Sequence, residues 1–378
     1  MDCLASNPLA AARWPRGLVR VNGQAVGGWV ELEVDNNTYH EADTFSVSFA
    51  LSQLAAPYTP AWFASQTTMN VEVFFGFPAD PDHFGAGDLS SYLYGLVDSV
   101  DFAPADRTLR LTGRDLTSLF IDAKTTEKWP NKTSSEIATT LAGRHGLTAV
   151  VTATATPIGR YYQIDHVRMT SASTEWELLT YLADLEQFRV YVRGQELHFE
   201  PQPDPANAPA YPLQWTEPQG DTGYFASNTK QLSFSRTLTV GKGVVVVVKS
   251  WNPGQKAAFT ATYPTNKPTN KLSGISPGGS TAPLQTYSYA IANLTQERAQ
   301  QKARSLYNDI IRHEMRLSAE LPGDNTLDIT NVITVTGTGT VFDQTYFPQS
   351  ITRRLGINEG YTMTVSAKNH SADTNLIP

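Results

Sequence analysis

The sequence predicts a mainly β protein with an α+β insert, in which two antiparallel β-barrel segments flank a small α/β module. Three observations lead to this fold class. The first 120 residues alternate apolar and polar positions with the period of two that half-buried strands require. Helical spacing with capping residues begins only after residue 122. Strand patterns return from Tyr211, interrupted by a stretch rich in Gly, Pro, Ser, Thr and Asn.

Length and composition set the outer limits. The chain has 378 residues and a formal charge of −7, a length that corresponds to two or three domains at roughly 100–200 residues each. Its one cysteine, Cys3, cannot form an intrachain disulfide. No apolar run approaches the roughly 18 residues of a spanning helix, and the start Met1-Asp2-Cys3-Leu4 lacks the bases of a signal peptide. We therefore expect neither a membrane segment nor a leader.

The charge is unevenly distributed along the chain. Residues 236–316 contain eleven Lys or Arg and three Asp or Glu, so this stretch carries +8 and the remainder −15. The net acidity argues against a dedicated nucleic-acid-binding protein, which needs a basic face for phosphates. The basic stretch is either a solvated segment or a contact surface for an acidic neighbour, and composition leaves both interpretations open.

Residues 1–122 are predicted to form the first β-barrel domain. The segments with period-two alternation are 28–34, 44–49, 69–74, 93–100 and 108–113. Consecutive strands of this kind, with no helical period between them, favour an antiparallel barrel or sandwich. Residues 77–91, rich in Asp, Gly and Pro, are predicted to be a long loop between two strands.

Residues 123–205 are predicted to be an α/β insert domain. A capping box at 133–136 starts one helix, and a second helix with a broad apolar stripe begins near Ser173. Glu175 and Glu177 fall in the positively polarised first turn of that second helix. A tight hairpin over 189–199 follows, and the Pro-rich stretch 201–212 marks the boundary.

The second β-barrel domain is predicted over 206–251 and 316–378. Five consecutive valines at 244–248 indicate a strand covered on both faces. Residues 252–315 are predicted to be a basic loop-plus-helix insertion. Its first part reads as an extended arm with little core of its own, and its helix starts at about Thr295.

The motifs that could carry chemistry lack the context that the chemistry needs. Residues 274–278 match a nucleophile-elbow pattern around Ser276 without the flanking strand and helix, and His313-Glu314 lacks a second His four residues on. The glycines at 337–340 read as a turn, and Glu31 and Glu33 lie on one exposed strand face. The seven histidines are never closely spaced: His40, His83, His145, His166, His198, His313 and His370. We therefore predict no enzyme, with no catalytic, cofactor-binding or metal-binding residue and no cofactor.

The order of segments over 15–370 resembles a known family. Three regions show this resemblance. The first consists of 95–100 and 109–116, which precede the capped helix, and the second is 173–179, which leads into the hairpin at Gly194. The third is a C-terminal helix followed by Pro322-Gly323 and two final strands. This order is similar to that of the baseplate hub proteins of contractile-tailed phages, of the late-control-D type. These are related to the hub part of type VI secretion spike proteins.

The resemblance implies two tube-protein-like barrels per chain and a homotrimer that adapts the sixfold tail tube to the threefold central spike. The implied partners are the spike, the tail tube or tube-initiator protein, the tape measure protein, and baseplate wedge proteins reached through 252–315. Genomic DNA would pass through the lumen without sequence-specific binding, and an acidic lumen would let it slide. The implied location is the virion tail baseplate, assembled in the host cytoplasm.

Two alternatives stay open. One is the hub of a non-phage contractile injection device, such as a secretion system or a bacteriocin. The other is a β-rich polysaccharide-binding or polysaccharide-hydrolysing tail protein, which the 7 Trp and 16 Tyr favour.

Overall fold

The computed structural model describes residues 14–38, 41–155, 157–158, 173–201, 207–217, 226–237, 244–252, 255–265, 285–291, 294–311 and 315–369. The helices are α1 (Pro60–Ser65), α2 (Thr117–Asp122), α3 (Ser134–Arg144), α4 (Glu175–Glu186) and α5 (Gln296–Ile311). The strands of the N-terminal half are β1 (Arg16–Val21), β2 (Gln24–Ala25), β3 (Trp29–Asn37), β4 (Thr44–Ala50), β5 (Asn70–Gly76), β6 (Ser90–Ala103), β7 (Thr108–Asp115), β8 (Lys124–Thr125), β9 (Thr148–Val151), β10 (Ser173–Thr174), β11 (Phe188–Arg193) and β12 (Glu196–Pro201). Those of the C-terminal half are β13 (Ala210–Thr216), β14 (Ala226–Ser227), β15 (Gln231–Arg236), β16 (Val244–Asn252), β17 (Ala257–Tyr263), β18 (Gln285–Ala290), β19 (Met315–Pro322), β20 (Val332–Thr336), β21 (Thr345–Gly356) and β22 (Gly360–Lys368).

One large sheet dominates the fold. Its fourteen strands run in the order β14-β13-β20-β21-β3-β4-β7-β6-β5-β1-β2, with β22, β19 and β15 branching from β21. Alternating apolar and polar residues form half-buried strands, as the sequence predicts. On β4, for example, Phe45, Val47 and Phe49 are buried, and the residues between them face outward. The predicted fold class, mainly β with an α+β insert, is confirmed.

The two segments predicted as separate barrels share this sheet. β3 pairs antiparallel with β21, so that Leu32 lies opposite Leu355 and Val34 opposite Arg353. A single hydrophobic core extends from Val19 on β1 to Val365 on β22. The strand pairings among the described residues close neither segment into a barrel of its own. The reason is that β3, an edge strand of the first segment, completes its backbone hydrogen bonds with β21.

The α/β module consists of β9, β11 and β12 with α3 and α4 on one face of that small sheet. The capping box predicted for the first helix is present between Thr133 and Glu136, and Thr174 and Glu177 form a second box on α4. Glu175 does more than interact with the helix dipole, because it is only 2% exposed. Its carboxylate accepts a hydrogen bond from Arg144 Nη1 at 2.5 Å and lies 2.6 Å from His145 Nε2, so it ties α4 to the end of α3.

Glu175→Gln is expected to destabilise this module by about 1 to 2 kcal/mol, because the amide leaves the positive charge of Arg144 less well compensated. Amide hydrogen exchange of α3 and α4 measures the effect locally. Glu196→Gln is the matched control, since Glu196 is exposed and its partner His198 lies at 3.3 Å. Equal exchange rates in the two variants would contradict a structural role for the Glu175 carboxylate.

The insertion has its own sheet and its own core. β16 pairs antiparallel with β17 and parallel with β18, and α5 packs on one face through Ala299 and Ala303. Val244–Asn252 therefore lies in this sheet and not with the large one, which differs from the predicted boundary at 251. The described part of the predicted arm contains the strand β17, whose Ala261 is buried in a core that Val244, Val246 and Val248 form with α5.

Candidate functional site

The large sheet presents a continuous polar face on the side away from its core. On six neighbouring strands, β19, β22, β21, β3, β4 and β7, the residues between the buried ones are almost all hydroxyl-bearing or charged. We define these residues as the polar sheet face: Arg316, Ser318, Glu320, Thr362, Thr364, Ser366, Thr352, Arg354, Glu31, Glu33, Asp35, Thr44, Ser46, Ser48, Arg110, Thr112 and Arg114. At about 4.8 Å per strand, the face is roughly 24 Å wide.

Register places residues of both sequence halves side by side on this face. One row across the strands runs Glu320, Thr364, Thr352, Asp35, Thr44 and Arg114. Thr352 Oγ1 donates a hydrogen bond to Asp35 Oδ1 at 2.8 Å, across the β3–β21 pair that joins the halves. The face is thus a product of the pairing, and neither half contains it alone.

The charges of the polar sheet face are compensated within the chain. Arg354 lies 3.4 Å from Glu31 and forms a salt bridge with Glu33. Arg114 pairs with Asp98 at 2.7 Å and with Asp122 at 3.0 Å. The face has four arginines and four carboxylates. The excess negative charge of the chain is therefore not concentrated on this surface.

Most of the residues that the sequence analysis considered as catalytic or metal-binding candidates do not lie close to one another in the structure. Glu31 and Glu33 both contact Arg354, and the 337–340 segment is a turn in which Asp343 accepts hydrogen bonds from Thr338 N and Gly339 N. Gly337 is required in this turn, because a Cβ there would lie 1.8 Å from the Trp215 carbonyl oxygen. The elbow-like segment 274–278 and the histidines at 40, 166, 313 and 370 lie outside the described residues.

Two absences apply to the described part of the chain. There, no group of three His, Cys, Asp or Glu side chains is arranged to hold a metal ion. In the same residues, no helix has the length and apolar character to cross a membrane.

A polar cleft of about 400 Å³ lies between the large sheet and the β11–β12 hairpin. Its central residue is Arg353, which is 1% exposed and points to the core side of β21. The guanidinium lies 4.1 Å from the centre of the Tyr92 ring and donates hydrogen bonds to Asn36 Oδ1 at 2.5 Å and to the Leu327 carbonyl at 2.6 Å. Arg353 therefore links β21 to β3, to β6 and to the loop before β20.

Two carboxyl groups of the cleft have raised pKa values. Burial raises the pKa of Asp43 to about 6. The hydrogen bonds that its carboxylate accepts from Asn37 N and Asn36 Nδ2 lower this pKa, but by less than burial raises it. Burial, and then the charge of Asp43, raise the pKa of Asp115 well above its usual range. At the mouth of the cleft, Arg193 Nη2 lies 3.4 Å from both carboxylate oxygens of Asp328 and joins the hairpin to the sheet.

The sequence analysis did not find this cluster. Arg353 is more than 300 residues from Asn36 and Asp43 in the chain, and each of the three is a residue type usually found at the surface. One signal was available: in an alternating strand, adjacent arginines at 353 and 354 must point to opposite faces, so one of them faces the core. The cluster provides two hydrogen-bond acceptors to a buried cation at the junction of the two halves, while the Nε of Arg353 has no hydrogen-bond partner among the described residues.

Comparison with known proteins addresses the fold. No protein-family model matches the chain, and no curated protein matches its sequence. Among solved structures, it is similar to a tail protein from Neisseria meningitidis MC58, with a TM-score of 0.68, 15% identity and coverage of 94% of this chain and 96% of that one. It is also similar to the 43 kDa tail protein of prophage MuSo2 from Shewanella oneidensis, with a TM-score of 0.63, 14% identity and coverage of 93% and 98%.

A third similarity extends beyond phages. The E. coli c3393 protein, described as a component of the type VI secretion system, matches with a TM-score of 0.53, 10% identity and coverage of 93% of this chain and 77% of that one. The resemblance drawn from the order of segments is thus confirmed for the architecture. The chain has the fold shared by phage tail proteins and type VI secretion spike-related proteins.

Proposed function

We propose that this chain is the structural hub subunit of a phage tail baseplate. One observation carries the proposal: the fold matches two tail proteins over at least 93% of this chain and at least 96% of theirs. Similarity over whole lengths means that the sheet, the α/β module and the insertion all have counterparts. A shared domain alone would have matched only part of the chain.

In this proposal three copies form a ring between the sixfold tail tube and the threefold spike. The polar sheet face lines the channel of the ring. Its hydroxyl groups and compensated arginines support this assignment, because a surface without a row of free cations does not hold phosphates. DNA would then pass through the channel without sequence-specific binding.

The remaining surfaces serve assembly. The central spike, the tail tube or tube-initiator protein, the tape measure protein and the baseplate wedge proteins are the proposed partners. The protein would belong to the virion tail, assembled in the host cytoplasm, and would carry out no chemistry. A polysaccharide-cleavage assay with the purified protein tests the last point, and we expect no activity.

A second candidate is the hub of a non-phage contractile injection device. The fold similarity to a type VI secretion component favours it. The neighbouring genes distinguish the two candidates. Capsid and terminase genes nearby would support the phage tail, and secretion genes would support the non-phage injection device.

The hub proposal predicts a trimer. Light scattering is expected to give a species near three times 41.4 kDa for the purified protein alone, or, in a mixture with the candidate spike from the same gene cluster, a complex whose mass equals three copies of this chain plus the spike. A single-chain mass in both samples would contradict the hub and would favour the polysaccharide-binding class.

A further inference from the structure

Charge is segregated along this chain far more strongly than its net value shows. Residues 21–106 contain twelve Asp or Glu and no Lys or Arg. Residues 222–296 contain seven Lys or Arg and no Asp or Glu. The first stretch supplies β2–β6 of the large sheet, and the second supplies β16–β18 of the insertion together with β14 and β15 of the large sheet.

One face of the insertion sheet is covered, and the other face is buried at Val245 but exposed toward the C-terminal end of β16. α5 covers the side toward Val244, Val246 and Val248. On the opposite side of β16, Lys249 is exposed and Trp251 is 56% exposed. Their cross-strand partners on β17 are small, Thr260 and Ala258, which leaves the indole without a large neighbour on that strand. We call Lys249, Trp251, Lys256, Ala258 and Thr260 the Trp251 face; Lys256 lies in the exposed turn before β17.

A large exposed aromatic ring between lysines indicates a partner that is both apolar and acidic. Exposed aromatic residues are the usual anchors of protein–protein interfaces, and opposite charges around them set the orientation of the partner. The acidic stretch of this same chain offers such a surface.

That surface is the tip of the β6–β7 hairpin. Asp101, Phe102, Pro104, Ala105 and Asp106 are all exposed, and Phe102 is 51% exposed; we call these five residues the Phe102 tip. Asp101 accepts a hydrogen bond from the Ser99 hydroxyl at 2.9 Å. Two cations lie near the tip: Arg107 follows it in the chain, and Arg110 lies opposite Asp101 in the β6–β7 register. The tip itself has an exposed aromatic side chain and two carboxylates, opposite in sign to the two lysines of the Trp251 face.

Within one chain the Phe102 tip and the Trp251 face belong to two different sheets. The β6–β7 hairpin is part of the large sheet, whereas the insertion packs on α5, whose Lys302 lies 3.6 Å from Asp184 on α4. Among the described residues, no ion pair joins 21–106 to 222–296.

We propose that the Phe102 tip of one copy binds the Trp251 face of the next copy. Two different surfaces that meet head to tail form a closed ring when the rotation between copies is right, which is the symmetry that the proposed hub needs. The inference rests on the proposed function, and it names the contact that would hold the ring together.

Charge reversal with rescue tests the contact. One variant carries Lys249→Glu and Lys256→Glu, a second carries Asp101→Lys and Asp106→Lys, and a third carries all four changes. Mass is measured by light scattering over a range of protein concentrations, with and without the candidate spike. We expect each double variant to associate at least about tenfold more weakly than wild type and the fourfold variant to regain association. Added salt should weaken the wild-type ring.

The controls separate this inference from the hub itself. Lys124→Glu with Lys128→Glu makes the same charge change at exposed positions of the α/β segment and should leave association unchanged. If wild type is trimeric and both double variants stay trimeric, the contact is refuted and the hub proposal stands. If only the reversals weaken the ring without rescue, the pairing of these two surfaces is refuted. A wild type that is a single chain even with the spike refutes both.

Discussion

Arg353→Met is expected to lower the free energy of unfolding by about 3 to 5 kcal/mol, the typical cost of breaking a buried, hydrogen-bonded charge cluster. The guanidinium is 1% exposed and donates to Asn36 Oδ1 and to the Leu327 carbonyl. Methionine fills much of the same volume but leaves both acceptors without their donor. Tyr92 also loses the cation that lies 4.1 Å from its ring. Urea unfolding at fixed protein concentration measures the change.

The next residue is the matched control. Arg354 points to the opposite face of β21, where it is exposed and pairs with Glu31 and Glu33. Arg354→Met should cost less than about 1 kcal/mol, because exposed ion pairs contribute little. Similar losses for the two variants would mean that burial does not determine the contribution of Arg353. Hydrogen exchange should show the Arg353→Met loss first at β3 and β21, which meet at this side chain.

Asp115→Asn is expected to stabilise the protein at pH 8 and to change its stability little at pH 4. Asp115 is 6% exposed, and burial together with the charge of Asp43 raises its pKa well above the usual range. Ionising this carboxyl in the folded state is therefore costly. The amide keeps the local contacts, because its oxygen can accept from Thr117 N and its nitrogen can donate to the Thr117 hydroxyl.

The sign of the pH dependence follows from proton binding. With raised pKa values for Asp43 and Asp115, the folded state holds protons above the pH at which the unfolded chain has lost them. Stability from these groups is therefore present near pH 4 and falls as pH rises through about 6, the pKa of Asp43, and through the still raised pKa of Asp115. Urea unfolding of wild type and Asp115→Asn at pH 4, 6 and 8 should show a shallower fall in the variant.

Asp82→Asn serves as the control for this series, since Asp82 is exposed in the loop between β5 and β6. It should follow wild type at every pH. An Asp115→Asn variant with no gain at pH 8, or with an equal gain at pH 4, would show that the Asp115 carboxyl does not titrate in the way its surroundings indicate.

The local elements were available from the sequence. Period-two alternation located β4 and β7, and the capping box at Thr133 located the start of α3, because both are properties of neighbouring residues. The order of these elements was also enough for the resemblance to hub proteins. No catalytic motif had its required context, and the prediction of a non-enzymatic protein rests on that.

The long-range pairings were decided only by the tertiary structure. Alternation shows that β3 has a buried face, but it does not show that the hydrogen-bonding partner of β3 is β21, more than 300 residues away. The valine run at 244–248 predicted a strand covered on both faces, yet only its pairing with β17 and β18 placed it in the insertion. Arg353 and Asp115 acquired their properties in the same way, since burial and neighbouring charges depend on which strands meet. The local pattern of residues thus determined which segments became strands and helices. Non-local packing decided which strands paired, because backbone hydrogen bonds between strands are the same for almost every amino-acid type and do not identify the partner strand.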